Sequence, residues 1–311
     1  MMMPNVKPLL ILSVLMILIG GIWFAIFAGS GYLRIDSEKF EETVPAPGEG
    51  RLNIENSLGK VVVATHENED IVINGKKSTL FGKRELDRID VDISIEDDIT
   101  ISVDNDGIWW VWVDLEIFLP GDMDLISIEM LNGKVRMEGT SGDTHITSSN
   151  GDIEINDHTG NLTVESNNGW VRVRNLTGDI DIEVDNGDVD IDEIGGILDI
   201  RSDNGDIRAM DVNGIGRIEC SNGDITASID GIPDRGTIIT ADRGDVVMTI
   251  REEANMRIDL KTSLGDIRIR DLSVNYLTNR GDRKIGTLGN GGPTMIIDVD
   301  LGDITLKGVR S

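Results

Sequence analysis

Within a glycine-marked repeat, aspartate directly follows glycine at Asp143, Asp152, Asp179, Asp188, Asp206, Asp224, Asp245, Asp266 and Asp303. Carboxylates at fixed spacing suit two purposes, cation binding and turn formation. Asp188, Asp206 and Asp224 are 18 residues apart, with Asp152 two such steps before Asp188. If the repeats stack at ~4.8 Å, like charges repel by about 1 kcal/mol per pair in water, and calcium would relieve them. Calcium takes 6–8 oxygens, which one carboxylate per repeat does not supply. The Gly-Gly-x-Gly-x-Asp pattern of calcium-binding rolls is also absent. Turn geometry is the preferred reading, with Asp188, Asp206 and Asp224 as weak calcium candidates and no other cofactor implied.

Other chemistry has less to stand on. His66, His145 and His158 fall in unrelated contexts, with no nucleophile motif and no metal-ligand spacing, so catalysis is not expected. A polysaccharide lyase or hydrolase on a β-helix is the low-ranked enzymatic alternative. Arg243-Gly244-Asp245 and Arg280-Gly281-Asp282 spell an adhesion tripeptide, which a chain with 36 glycines and abundant aspartate produces by chance. Trp170 replaces the polar turn residue of its repeat and is expected to point outward as a surface contact. Trp110 and Trp112 share one strand face and Trp109 the other, so one face is expected to cap the fold, the alternative being an exposed aromatic patch for a ligand or partner. Asn161 and Asn175 head glycosylation sequons. Cys220, the single cysteine, falls in a column of small residues with Ser148, Ser166, Val184 and Ser202, and reads as buried rather than reactive.

The elements that must hold these residues follow from the glycines, which recur every nine residues from Gly133 to Gly223. Alternate ones follow asparagine (Asn132, Asn150, Asn168, Asn186, Asn204, Asn222), so the full unit is 18 residues. Two and four residues after each glycine stand pairs such as Ile153/Ile155 and Val171/Val173; of 22 such positions, 20 are apolar, failing only at Thr144 and Gly216. Period-two alternation of Ile and Val is a strand with one buried face, and Asn-Gly supplies its turn. Short strands at a fixed repeat must stack to bury those faces. The outward column Arg136, Glu154, Arg172, Asp190, Arg208, Thr226 alternates in sign, as parallel, in-register coils would favour. Beyond Gly223 the spacing loosens to 21 residues at Gly244 and Gly265, with a last copy at Gly302. About ten coils would make a rod of ~50 Å.

Residues 8–29 are almost wholly apolar and long enough to span a bilayer. The expected organisation is a short cytoplasmic N-terminus (1–7), a transmembrane signal anchor (8–29), an acidic stalk (30–48) and one repeat domain (49–311). This predicts a single-pass cell-membrane protein, membrane-bound through 8–29, with its body extracytoplasmic. The formal net charge of −27 excludes nucleic acid as a partner.

Leu52–Val63, Val113-Asp114-Leu115-Glu116-Ile117-Phe118-Leu119-Pro120, the run of Asn-Gly-Asp-Ile, Gly286-Thr287-Leu288-Gly289 and Gly302-Asp303-Ile304 together resemble the putative-adhesin family of β-strand-repeat domains of unknown function. The resemblance covers nearly all of the body. It implies a right-handed parallel β-solenoid, commonly on a membrane anchor, with no established catalysis. The fold class expected is therefore all-β, a right-handed parallel β-solenoid (β-helix or β-roll) of 18-residue coils after one transmembrane α-helix. Its expected role is an extracellular binding or structural surface module, adhesive in kind, with an unidentified protein or carbohydrate partner. The alternative is the ligand-sensing part of an envelope stress or signalling system.

Overall fold

The computed structural model describes residues 35–46, 50–96 and 98–310. Twenty-three strands and one short 3-10 helix, Lys83–Arg88, make up the described residues. The Ile/Val pairs after each glycine point inward: Ile153, Ile155, Val171, Val173, Val189 and Ile191 are all buried. They stack in parallel register, Ile153 beside Val171, Val171 beside Val189, and Val189 beside Ile207. A second column on the facing side runs Leu162, Ile180 and Leu198. Burying these aliphatics contributes ~1.5–3 kcal/mol per side chain before ordering costs.

Glycine turns each corner because the coils nearly touch there. Gly151 has φ +141°, and a Cβ on it would collide with the Gly133 carbonyl oxygen of the preceding coil. Gly216, one of the two gaps in the apolar pattern, falls at a register shift beneath the Arg235–Asp199 ion pair, whose atoms occupy the space a side chain would need.

The expected architecture is corrected in several respects. Parallel pairing closes on itself through seven strands, and the 18-residue offset is not uniform: paired residues lie mostly 18 apart from Val135 to Ile225 but 21, 58 and 37 apart beyond. Asp122–Glu138 pairs with Ser141–Asn150 and with Ile153–Thr159. One branch continues through Leu162–Asn168 and Ile180–Asn186, the other through Val171–Thr177, and both meet at Val189–Asn204. The ring closes because Asp122–Glu138 and Val189–Asn204 run unbroken through a corner and belong to both sides.

Both ends are antiparallel. Asp36–Pro45 pairs with Asp70–Thr79, which pairs with Val111–Leu119, while Asp90–Ile95 pairs with Ile99–Asp104. At the other end Met256–Leu264 pairs with Arg283–Leu288, and that strand with Val274–Asn279. Most of the expected stalk is thus a strand of the fold, with Val44 buried and the Phe40 ring lying on Gly75.

Chain order and stacking order also part. Arg51–Thr65 lies between Ile99–Asp104 or Val111–Leu119 on one side and Asp122–Glu138 on the other. Thr294–Leu301 and Ile304–Val309 lie between the coils of Thr237–Arg251 and Met256–Arg270. The second coil from each end is therefore filled from a distant part of the chain.

Among the described residues no helix is long and apolar enough to cross a membrane. The single-pass cell-membrane placement is withdrawn on that finding. Residues 8–29, to which it was tied, and residues 1–7 lie outside the described residues.

Candidate functional site

Stacking turns each repeated turn residue into a continuous ladder. Asp188 Oδ1 accepts the Asp206 N–H at 3.0 Å, Asp206 Oδ1 that of Asp224 at 2.9 Å, and Asp224 Oδ1 that of Asp245 at 2.8 Å. Asp245 and Asp303 continue it to Asp303 and Asp266. At the opposite corner Asp143, Asn161 and Asp179 do the same for Asn161, Asp179 and Ile197. One oxygen of each carboxylate thus satisfies an N–H that the corner would otherwise leave unpaired. Among the described residues no group of three or more His, Cys, Asp or Glu is placed to hold a metal ion.

The asparagines form a second ladder. Each side-chain amide donates to the carbonyl oxygen of the asparagine one coil back: Asn150 to Asn132, Asn168 to Asn150, Asn186 to Asn168, Asn204 to Asn186 and Asn222 to Asn204, at 3.1–3.3 Å. Arg243 takes the next place and donates to Asn222. The sequence marks these residues as turn formers; only their strict phase at 18 hinted at mutual contact.

The outward charge column is in register, but its partners divide. Arg172 and Arg208 both reach Asp190, at 3.1 and 3.0 Å. Burial opposes the Asp190 charge, yet the hydrogen bonds from Arg208 and Arg172 outweigh it and hold the carboxyl below its ordinary pKa. Glu154 turns instead to Lys134 at 2.9 Å, whose hydrogen bond lowers the glutamate pKa. Arg136 bonds Glu138.

Trp170 sits where these features meet. It occupies the aspartate position of its corner, donates its N–H to Asp152 Oδ1 at 3.4 Å, and has no carboxylate to offer Asp188. Lys134 and Arg172 lie over its ring at 4.9 and 4.7 Å from the centroid. An open depression of 460 Å³ beside it is lined by Val171, Arg172, Asp188, Asp190, Asp206 and Arg208. The ring is half-buried rather than fully outward.

A family model described as Toastrack DUF4097 matches residues 158–307. Over those residues, just under half of the chain, the protein is similar to a Toastrack domain. Among solved structures, a putative adhesin from Bacteroides fragilis is 16% identical over 89% of this chain and 97% of its own, with a TM-score of 0.43. A putative adhesin from Parabacteroides merdae is 10% identical over 89% and 97%, with a TM-score of 0.39. A putative cell adhesion protein from Clostridium sporogenes is 11% identical over 88% and 100%, with a TM-score of 0.25. No curated protein matches the chain.

The fold keeps its remaining candidates apart. His158 is buried, with Nδ1 2.9 Å from Thr140 Oγ1 and Nε2 without a partner; burial lowers its pKa. His66 lies by the Asp70 carbonyl and His145 by Thr147. Cys220 is buried between Ser202 and Ala241, and burial pushes its thiol pKa to about 11. Asn161 and Asn175 are exposed, but Asn175 already donates to Asp157 at 2.6 Å. Arg243-Gly244-Asp245 is an ordinary corner within both ladders, whereas Arg280-Gly281-Asp282 tips an exposed hairpin. Trp109 and Trp110 precede the strand Val111–Leu119 rather than joining it; they pack edge to face, and Trp110 donates to Glu85. Trp109 stays 68% exposed, whereas Trp110, edge to face with Phe81, packs against the core.

Proposed function

We propose that this protein is a non-catalytic surface-binding module, adhesive in kind, that contacts a protein or carbohydrate through the outer face around Trp170. The observation that supports the reading is the break at Trp170 in an otherwise repeated carboxylate corner. Asp152 and Asp188 flank it in the stack, and an aspartate there would continue the ladder; a tryptophan does not serve the fold in that way. Residues that depart from a local rule without structural gain concentrate at functional sites. Aromatic rings beside a few charged groups are also what recognition surfaces use.

Trp170→Asp tests this directly, because the new carboxylate can accept the Asp188 N–H while the ring and its two cation contacts are lost. The two changes nearly offset, so stability should move by less than about 1 kcal/mol. Binding to a panel of glycans and extracellular-matrix proteins should fall at least tenfold. Undiminished binding by the folded variant, or release of new sugar ends from any polysaccharide in the panel, would contradict the proposal.

A further inference from the structure

The two sides of the stack can be followed from one end of the molecule to the other. One side begins at the edge strand Asp36–Pro45 and ends at Ile267–Arg270; the other begins at Asp90–Ile95 and ends at Val274–Asn279. Among the described residues the backbone of each of these four strands, from Ser37 onward in the first, pairs with one neighbouring strand. Unpaired edges carry rows of free N–H and C=O groups and template further strands.

Charge divides the four edges by end. At the first end, Glu38, Glu41 and Glu42 are exposed on one edge strand, with Lys39 as its single cation; Asp90, Asp92 and Glu96 are exposed on and just beyond the other. At the far end the sign reverses within a chain of net charge −27: residues 256–284 hold seven Lys or Arg against four Asp. Arg270 and Arg280, at the ends of the two far edge strands, are exposed and make no ion pair among the described residues. Each end also shows apolar side chains on or beside its edges, Ile35 and Ile95 at the acidic end and Leu264, Tyr276 and Leu277 at the basic end, Leu277 being 84% exposed.

We propose that copies of this chain join head to tail, the acidic end of one against the basic end of the next. Asp36–Pro45 of one copy then continues Ile267–Arg270 of its neighbour, and Asp90–Ile95 continues Val274–Asn279. Both sides of the stack extend across the junction by edge-strand pairing. Such a contact uses two different surfaces, so it propagates into a linear series instead of closing as a symmetric dimer.

The test uses the full chain and two charge-reversed variants, Glu38→Lys/Glu41→Lys/Glu42→Lys/Asp92→Lys at the acidic end and Arg270→Glu/Arg280→Glu at the basic end. Sedimentation velocity should show the natural chain as a concentration-dependent series of oligomers that shortens with added salt. Each variant alone should stay at least tenfold more monomeric, since both of its ends then carry one sign. Mixing the two should restore an alternating series. A Leu277→Asp chain, changed at one exposed residue in a register irregularity, gives the same loss if a reversed chain fails to fold. A natural chain that stays monomeric, assembly indifferent to both reversals, or a mixture that does not recover would overturn the proposal. Indifference is the result expected if residues 1–34 drive association or cover the acidic edge.

Discussion

At the residue scale, the buried polar groups set the clearest expectations. His158 occupies a core column with Leu176, Ile194 and Val212, and burial holds its folded pKa below the unfolded value. Its contribution is fully present above the unfolded pKa of ~6.5 and is lost as pH falls through the folded value, because the unfolded chain takes up the proton first. The melting temperature should drop between pH 7 and 5, and less steeply in His158→Leu; equal slopes for the two proteins would contradict the assignment. Cys220, with its pKa near 11, carries roughly one thiolate in a thousand at pH 8. Native protein should therefore resist thiol reagents that label it at once in denaturant. Ser148, Ser166 and Ser202 share the Cys220 column and have buried hydroxyls without partners, while Val184 fills the same place. The sequence made that column legible as small and buried, since its spacing matched the apolar one. Ser202→Ala should leave stability unchanged or raise it by up to about 1 kcal/mol in urea unfolding; a loss beyond that would mean the hydroxyl has a partner.

At the element scale, the corners decide stability more than the strands do. Gly151→Ala places a methyl group against the Gly133 carbonyl at a φ that alanine avoids, so it should cost at least about 2 kcal/mol. A variant as stable as the natural chain would show that neighbouring coils can separate there. The stacking of Ile153 on Val171 was legible because a side-chain period of two and a repeat of 18 allow one inward face and one register. The asparagine ladder was not, because turn preference explains Asn132 to Asn222 equally well. Asp36–Pro45 escaped notice because its acidic composition and Pro45 read as a linker; its pairing with Asp70–Thr79 depends on a tertiary contact with no local signature. Trp170 was legible as a break in pattern, but one of the two cations over its ring, Lys134, comes from another coil.

At the scale of the whole molecule, the order of stacking was hidden. Gly302-Asp303 carries the same motif as Gly265-Asp266, so nothing local shows that the later copy lies between Gly244 and Gly265 in space. Both ends of the stack thus bring distant chain segments together across long loops. The central claim is that between Val135 and Ile225 the 18-residue unit, and no fraction of it, defines the structural step. It is tested most directly by circular dichroism and thermal melting of two deletions. Removing residues 169–186 joins Asn168 to Gly187 and leaves every column in phase, so that chain should keep its β-sheet spectrum and a cooperative melt. Removing only residues 169–177 joins Asn168 to Gly178 and sets one side of the stack against the other, so that chain should lose both. A nine-residue deletion that melts as cooperatively as the 18-residue one would contradict the account.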